Sequence, residues 1–278
     1  MLKKSIASLF EEAHITDTAL LPFSECRVTN ARLLEEKEGF LPQSAILFLL
    51  PYYTKKPDGF SAYAASRDYH HFIKTLYASL LPRLEASFPP YRFYAYTDHA
   101  PIDERHAAVR AGLGVFGKNG LLLTEKYSSY QFIAEVLTDA PPALLGEAEL
   151  HPLTACEDCG RCRLACPTGI LRGEGEACLS AITQKKGELS EDEARLLIEN
   201  DTVWGCDACQ ECCPYTLRAK KNGTIYTHIP YFLEDCIYAL SYEAIEKMPK
   251  ETFKKYAFAW RGRQVLLRNL KIREKSEE

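Results

Sequence analysis

Cys156-x2-Cys159-x2-Cys162-x3-Cys166-Pro167 restricts what this chain can fold around more than any other stretch. Thiolates two residues apart on a tight loop reach three corners of one iron–sulfur cubane. The cysteine before proline points away from that cluster, and in two-cluster ferredoxins it ligates the other. Cys-x2-Cys pairs also suit tetrahedral zinc, but four cysteines in this run, closed by proline, favour a [4Fe-4S] cluster. A second run, Cys206-x2-Cys209-x3-Cys213-Pro214, is one ligand short. By the same reciprocity Cys213 completes the cluster of Cys156, Cys159 and Cys162, leaving Cys166, Cys206 and Cys209 for the other. Two cysteines are candidates for its fourth ligand. Cys212 would restore Cys-x2-Cys-x2-Cys, with adjacent cysteines serving different clusters; Cys178 lies upstream, free of that conflict. Spacing does not choose between them. Cys26 and Cys236 stand outside any ligand spacing and read as small buried hydrophobes.

Ten of the eleven cysteines fall in residues 156–236, and the total is odd. That is a poor disulfide framework, so cluster ligation is the leading explanation. A formal net charge of −4 argues against a uniformly basic nucleic-acid binder. The longest apolar run, Ala45–Leu50, is far short of the roughly 20 residues a membrane helix needs. Glu11, Glu12 and His14 interrupt the N-terminus before a signal-peptide core can form. The expectation is a cytoplasmic protein with no membrane partner. Its 278 residues allow one large domain or two modest ones.

Residues 1–145 read as an alternating α/β segment. Ala45–Leu50 suits a buried strand, Tyr91–Thr97 a half-buried one, and Leu121–Thr124 and Gln131–Thr138 two more. Apolar residues recur at helical spacing from Tyr69 to Phe88, with Pro82 predicting a kink or an early end. Pro101 opens a helix running to Ala111, and Gly112, Gly114 and Gly117 close it in a tight loop. Strand-like Leu121–Thr124 after those glycines argues against a dinucleotide fingerprint. Asp98 stands between strand and helix, either at the rim of a binding site or as a turn residue. Ala140-Pro141-Pro142 marks a boundary, after which come a cysteine-rich region, 146–225, and a basic helical tail, 226–278. The basic segment from Lys247 to Lys275, with Lys185, Lys186, Arg218, Lys220 and Lys221, either contacts phosphates or is a solvated face.

Such a chain needs no 150-residue leading segment merely to carry electrons, and the residues of that segment carry a resemblance. Arg67-Asp68-Tyr69-His70, Asp98-His99-Ala100-Pro101 leading to Arg105, and Ala111-Gly112-Leu113-Gly114 with Gly117-Lys118 resemble the epoxyqueuosine reductase family. Cys166-Pro167-Thr168-Gly169, Cys178-Leu179-Ser180 and Gly205-Cys206-Asp207 running to Cys213-Pro214 continue the likeness in the same order. It implies an α+β protein: a corrinoid-binding α/β domain of nitroreductase-like fold, a ferredoxin-like domain with two [4Fe-4S] clusters, and a helical tail. It implies cobalamin as the second cofactor, Asp98 as proton donor, and corrinoid contacts from Asp98, Arg105, Lys118, Asn119 and Leu122. It also selects Cys178 over Cys212 as the last cluster ligand.

The activity implied is reduction of the epoxide of epoxyqueuosine in tRNA. Its partners would be that tRNA and a reduced flavodoxin- or ferredoxin-type donor, with the protein a monomer. Asp68-Tyr69-His70 continues to Ile73 rather than glycine, so no histidine ligand to cobalt is implied. Typical members carry C-terminal HEAT-like repeats, and this chain reads as a shortened member without them. It is also shorter between Thr29 and Ile46, and has His99 where a small residue is usual. Two other functions stay open: an electron-transfer protein without its own substrate, and a corrinoid reductase of the reductive dehalogenase kind acting on a small molecule.

Overall fold

Apolar residues without interruption, rather than in alternation, make strands buried on both faces. The computed structural model, which describes residues Met1–Glu274 and so leaves Lys275 outside them, has one such strand in its first unit, Ser44–Pro51. It divides into two compact units. The first comprises Met1–Pro51 and Phe72–Asp158; the second comprises Tyr52–His71 and Cys159 onward.

The first unit is built on six strands: β1 (Thr18–Pro22), β2 (Ser44–Pro51), β3 (Phe93–Tyr96), β4 (Val115–Phe116), β5 (Leu122–Leu123) and β6 (Gln131–Thr138). Four of them form one sheet in the order β1-β2-β6-β3, and every neighbouring pair is antiparallel. β4 and β5 make a separate ribbon. Neighbouring residues of β2 face opposite sides. On one side Phe48 meets Phe10 of helix Lys4–Glu11, with ring centroids 5.1 Å apart. On the other, Ala45 and Leu47 join Leu137 of β6 against Ala107 of helix Glu104–Arg110 and the following Ala111. The sheet is antiparallel throughout, so the strand-end rule for open parallel sheets does not locate a site at Asp98.

Helix Tyr69–Ser87 runs through Pro82 instead of ending there. Proline removes one backbone hydrogen bond, but Leu80 and Leu84 on either side of it are 2% and 0% exposed, and their burial holds the helix together. The helix after Pro101 begins later than expected, at Glu104. There the side chain of Asp103 accepts the His106 N–H at 3.2 Å.

The second unit differs from the expected division at 145 and 225. Tyr52–His71 belongs to it, and the basic C-terminal segment forms its core rather than a tail. Phe60 packs with Val203, Trp204, Phe253, Phe258, Leu266 and Leu270. The segment is broken into Tyr242–Lys247, Lys250–Phe253, Ala257–Arg261 and Arg263–Glu274. Asn269 on the last of these is fully buried and donates to the carbonyls of Thr183 at 2.7 Å and Val203 at 2.8 Å. Thr183 in turn accepts the N–H of Gly205, the residue before Cys206, at 2.9 Å. Among the described residues no helix is long and apolar enough to cross a membrane.

Candidate functional sites

In the second unit several cysteines sit on short helical turns or at their starts. Gly160, at φ 74°, opens Arg161–Leu164, which carries Cys162. Cys178 is the N-cap residue of Leu179–Thr183, and Cys213 that of Pro214–Asn222, with Pro214 at the first helical position. Ala208–Glu211, carrying Cys209, packs against Arg161–Leu164. Cys166 and Cys213, the two cysteines before proline, are buried, whereas Cys159 and Cys178 are exposed.

Electrostatic neighbours sort the thiols into groups. Cys206 feels Cys178 and Cys166, and Cys209 feels Cys206, Cys178 and Cys162. Cys212 instead feels Cys162, Cys213 and Cys159, and its Sγ turns back on the Cys209 carbonyl at 3.6 Å. As bare thiols Cys206 and Cys209 are pushed up to about 11 and about 12, by burial first and then by neighbouring negative charge. Thiolates crowded this way need a cation, which iron supplies. Burial pushes Cys166 upward too, but N–H groups of Leu171, Thr168 and Gly169 and the Thr168 hydroxyl outweigh it and bring the thiol down. Donors aimed at sulfur are the usual tuning device of iron–sulfur sites. Among the described residues no three His, Cys, Asp or Glu gather tightly enough for a single metal ion. In a cubane each thiolate binds its own iron.

Beside Cys206, Asp207 is buried and pushed up to about 6 by that burial. It accepts from the Ser61 hydroxyl at 2.5 Å, the Ala62 N–H at 2.8 Å and the Gln210 amide at 2.8 Å. The aspartate thereby ties the Tyr52–His71 strap to the cluster loop. Cys26 and Cys236 point to backbone carbonyls of their own segments, those of Pro22 and Phe232. Among the basic residues, Lys185, Lys220 and Lys254 pair with Glu193, Glu211 and Glu251 at 2.9, 2.6 and 3.1 Å. Arg273 pairs with Asp58 and Asp201. Arg263 and Arg268 donate to backbone carbonyls. Much of this charge is therefore engaged in holding the unit together.

In the first unit Asp98 is exposed on the turn after β3, in the left-handed region at φ 59°. Its N–H donates to the carboxylate of Glu104. The next residue, Arg105, donates from Nη1 to the Gly120 carbonyl at 2.7 Å, which joins the helix start to the loop of Lys118 and Asn119. Lys118 lies 3.7 Å from Asp158. Asn119 Oδ1 accepts the Leu121 N–H at 3.3 Å, while its Nδ2 is buried without a partner. The Leu122 side chain is buried against Leu49, Val109 and Ile133, so it faces the core. Glycine at 114 is obligatory in space: a Cβ there would lie 2.5 Å from the Leu123 carbonyl oxygen.

Among the described residues of this unit, the buried side-chain oxygens and nitrogens lacking any partner belong to Tyr96, Glu104, His106, Asn119 and Glu135. Glu135 did not emerge from the motifs. Its signal was present all the same: a lone charge in the otherwise apolar run Phe132-Ile133-Ala134-Glu135-Val136-Leu137.

Residues 155–216 match the family described as a 4Fe-4S double cluster binding domain. Over 167 residues the chain is 38% identical to the epoxyqueuosine reductase of Gloeobacter violaceus, covering 59% of this chain and 51% of that protein. Over 248 residues it is 30% identical to the epoxyqueuosine reductase of Listeria monocytogenes, covering 82% of this chain and 62% of that protein. The chain thus spans roughly half to six-tenths of these curated relatives. A crystal structure of epoxyqueuosine reductase with an epoxyqueuosine-modified tRNA-Tyr stem loop aligns with a TM-score of 0.73 at 22% identity, covering 96% of this chain and 80% of that one. The Bacillus subtilis epoxyqueuosine reductase, described with its aspartate catalytic loop swung out of the active site, aligns with a TM-score of 0.72 at 22% identity, covering 96% and 80%. At that identity the structures establish the shared fold.

Proposed function

We propose that this chain, a relative of the epoxyqueuosine reductases, reduces the epoxide of epoxyqueuosine in tRNA, with Asp98 delivering a proton to the departing oxygen. Two clusters alone would equally suit an electron carrier. The observation that carries the enzymatic reading is the Asp98 turn: an exposed aspartate in a left-handed conformation, held by Glu104 and lying beside buried, unpartnered polar atoms. A non-glycine residue at positive φ is uncommon and costs of order 1 kcal/mol or more. Such strain persists where the side chain's direction matters.

Cys156, Cys159, Cys162 and Cys213 hold one cluster in this reading; Cys166, Cys178, Cys206 and Cys209 hold the other. The closeness of Cys178 to Cys206 and Cys209 supports that division. Cobalamin is the second cofactor. Its peripheral amides suit the unpartnered Asn119 amide and the guanidinium of Arg105, with Lys118 on the same loop, whereas the Leu122 side chain faces the core. When bound, it supplies strongly reducing chemistry, fed one electron at a time through the clusters from a reduced flavodoxin- or ferredoxin-type protein. Asp98 holds the proton, and Arg105 and Asn119 orient the ligand. The reducing cytoplasm, where cysteines that ligate clusters keep their thiolates, is its place of work.

Nucleoside analysis of tRNA from cells with and without this protein tests the reading. Epoxyqueuosine accumulating only in its absence, and queuosine returning on re-expression, is the expected result. Unchanged nucleosides, together with no corrin absorbance after reconstitution with cobalamin, would leave an electron-transfer protein.

A further inference from the structure

Electron transfer weakens steeply as two redox centres separate, so a donor protein has to reach the surface where a cluster ligand comes closest to solvent. Two of the cysteines assigned above to clusters are exposed, Cys159 and Cys178. Cys159 stands among exposed residues of both signs, Glu157, Asp158 and Arg161. Cys178 is set differently. It lines an open cleft of about 830 Å³ within the second unit, in company with Gln184, Lys185, Lys186, Glu193 and Arg261.

Three cations against one carboxylate leave that lining at +2, in a chain whose formal net charge is −4. Glu193 is held by Lys185, whose ammonium lies 2.9 Å from both of its oxygens. Lys186 is exposed and Arg261 half-buried, and among the described residues neither has an ion-pair partner. Arg268 donates to the carbonyls of Lys185, at 2.8 Å, and Gly187, which fixes the loop that presents Lys186. The Arg261 guanidinium lies over the Trp260 ring, with Cζ 3.6 Å from its centroid, and its Nε is buried without a partner. Trp260 is 59% exposed, yet its indole N–H donates to Gln184 Oε1 at 3.2 Å. The Gln184 amide in turn donates to the Ser180 carbonyl at 3.0 Å, on the helix that begins at Cys178. A large aromatic ring is thus held in place in solvent, stacked with an arginine and tied to the turn of a cluster cysteine. Trp and Arg are the residues that dominate binding energy at protein interfaces.

We propose that the cleft beside Cys178, flanked by Lys186, Arg261 and Trp260, is where a small acidic one-electron carrier protein docks to reduce the clusters. This rests on the ligand division and the electron route proposed above. In each encounter the carrier is oxidised by one electron and the cluster of Cys178 is reduced by one; no bond forms or breaks. Two encounters furnish the two electrons that removing an epoxide oxygen consumes. The net negative charge of the chain repels an acidic partner, while the basic cleft attracts it, so the field itself turns the carrier toward Cys178. Redox encounters bury less than about 1,200 Å² in all, so a few charges around one aromatic ring suffice. RNA phosphates would also suit Lys186 and Arg261, but RNA carries no electrons and gains nothing from an exposed cluster ligand.

The test follows cluster reduction by stopped flow in the intact holoprotein, with Lys186→Glu, Arg261→Glu and the milder Arg261→Gln. Two reductants are compared: reduced flavodoxin, a small acidic flavin carrier, and dithionite, which needs no docking face. At low ionic strength each Glu variant should lower the second-order rate constant with flavodoxin by about 10-fold or more, and Arg261→Gln by less. Added salt should slow the wild type and barely affect the Glu variants. Iron content and the dithionite rate should stay at wild-type values. Calorimetric titration with oxidised flavodoxin should show binding weakened in parallel, a measurement that needs no turnover. A wild-type rate indifferent to salt, or variants that flavodoxin reduces at the wild-type rate, would overturn the docking face. So would an equal fall with dithionite, which marks a disturbed cluster. Variants that lose affinity for a tRNA stem loop while keeping flavodoxin binding would overturn it too and give the cleft to RNA. Absence of epoxide turnover in the wild type would defeat the reductase reading, and Cys178→Ala with both clusters intact would defeat the ligand division. In either case the flavodoxin rates still decide the docking face.

Discussion

Cys178 and Cys212 differ in the thiols they face, and that difference decides what each substitution should do. Cys178 neighbours Cys206 and Cys209, while Cys212 lies toward Cys162 and Cys213 and folds back on its own helix. Cys178→Ala should lose or convert one cluster, seen as reduced iron and sulfide content and an altered reduced-state spectrum; Cys212→Ala should keep both. The reverse outcome would transfer the ligand role to Cys212. Asp98→Asn should retain corrinoid and clusters, since no ligand is removed, yet slow turnover at least ~100-fold. A mere turn residue predicts a normal rate, because Asn serves turns and caps nearly as well. Glu104 makes a further prediction through linkage. Its ordinary value of 4.5 rises to about 7 in the folded chain, so between those values the folded state holds a proton the unfolded state has released. Its contribution is full below 4.5 and is lost as the pH rises through about 7. The gain in melting temperature from Glu104→Gln should therefore be larger at pH ~8 than at pH ~5.

Among the elements, helix Glu191–Glu199 shows its local determinants most openly. Ser190 accepts the Glu193 N–H at 3.2 Å, and Glu193 accepts the Ser190 N–H at 2.8 Å, a reciprocal cap that satisfies two donors the helix leaves open. Both Glu193 oxygens also take the Lys185 ammonium at 2.9 Å, which lowers that carboxyl further. Its buried Leu197 packs on Leu179 and Ile182 of the Cys178 helix, so the cap steadies that turn at one remove. Ser190→Ala should cost about 1 kcal/mol, or roughly 2–4 °C in melting temperature, without changing iron content. A melting temperature equal to wild type would show that packing alone sets this helix.

At the level of the whole molecule, two cubanes require about eight iron and about eight sulfide per chain after anaerobic preparation. Zinc in their place, without the broad cluster absorbance, would remove the premise on which every electron-transfer step rests.

The cysteine spacings, the buried run Ala45–Leu50 and the helical period starting at Tyr69 were legible before any fold was known, although Pro82 predicted a kink or an early end where the helix continues to Ser87. Each depends on residues within a few positions of one another, where covalent geometry and hydrophobic period leave little choice. The sheet order, the assignment of Tyr52–His71 to the cluster-bearing unit and the packing of the basic C-terminal segment as core were not. They depend on burial between segments far apart in the chain: Asp207 with Ser61, and Asn269 with Thr183 and Val203. Glu135 shows the division within one side chain. Its charge stands out in an apolar strand, but only the register with Tyr96 and the cover of the Glu104 helix determine that this carboxyl is dry, unpartnered and within electrostatic reach of Glu104 and Asp98. Proton affinity is set by the solvent and charges surrounding a group, and those are fixed by tertiary structure alone.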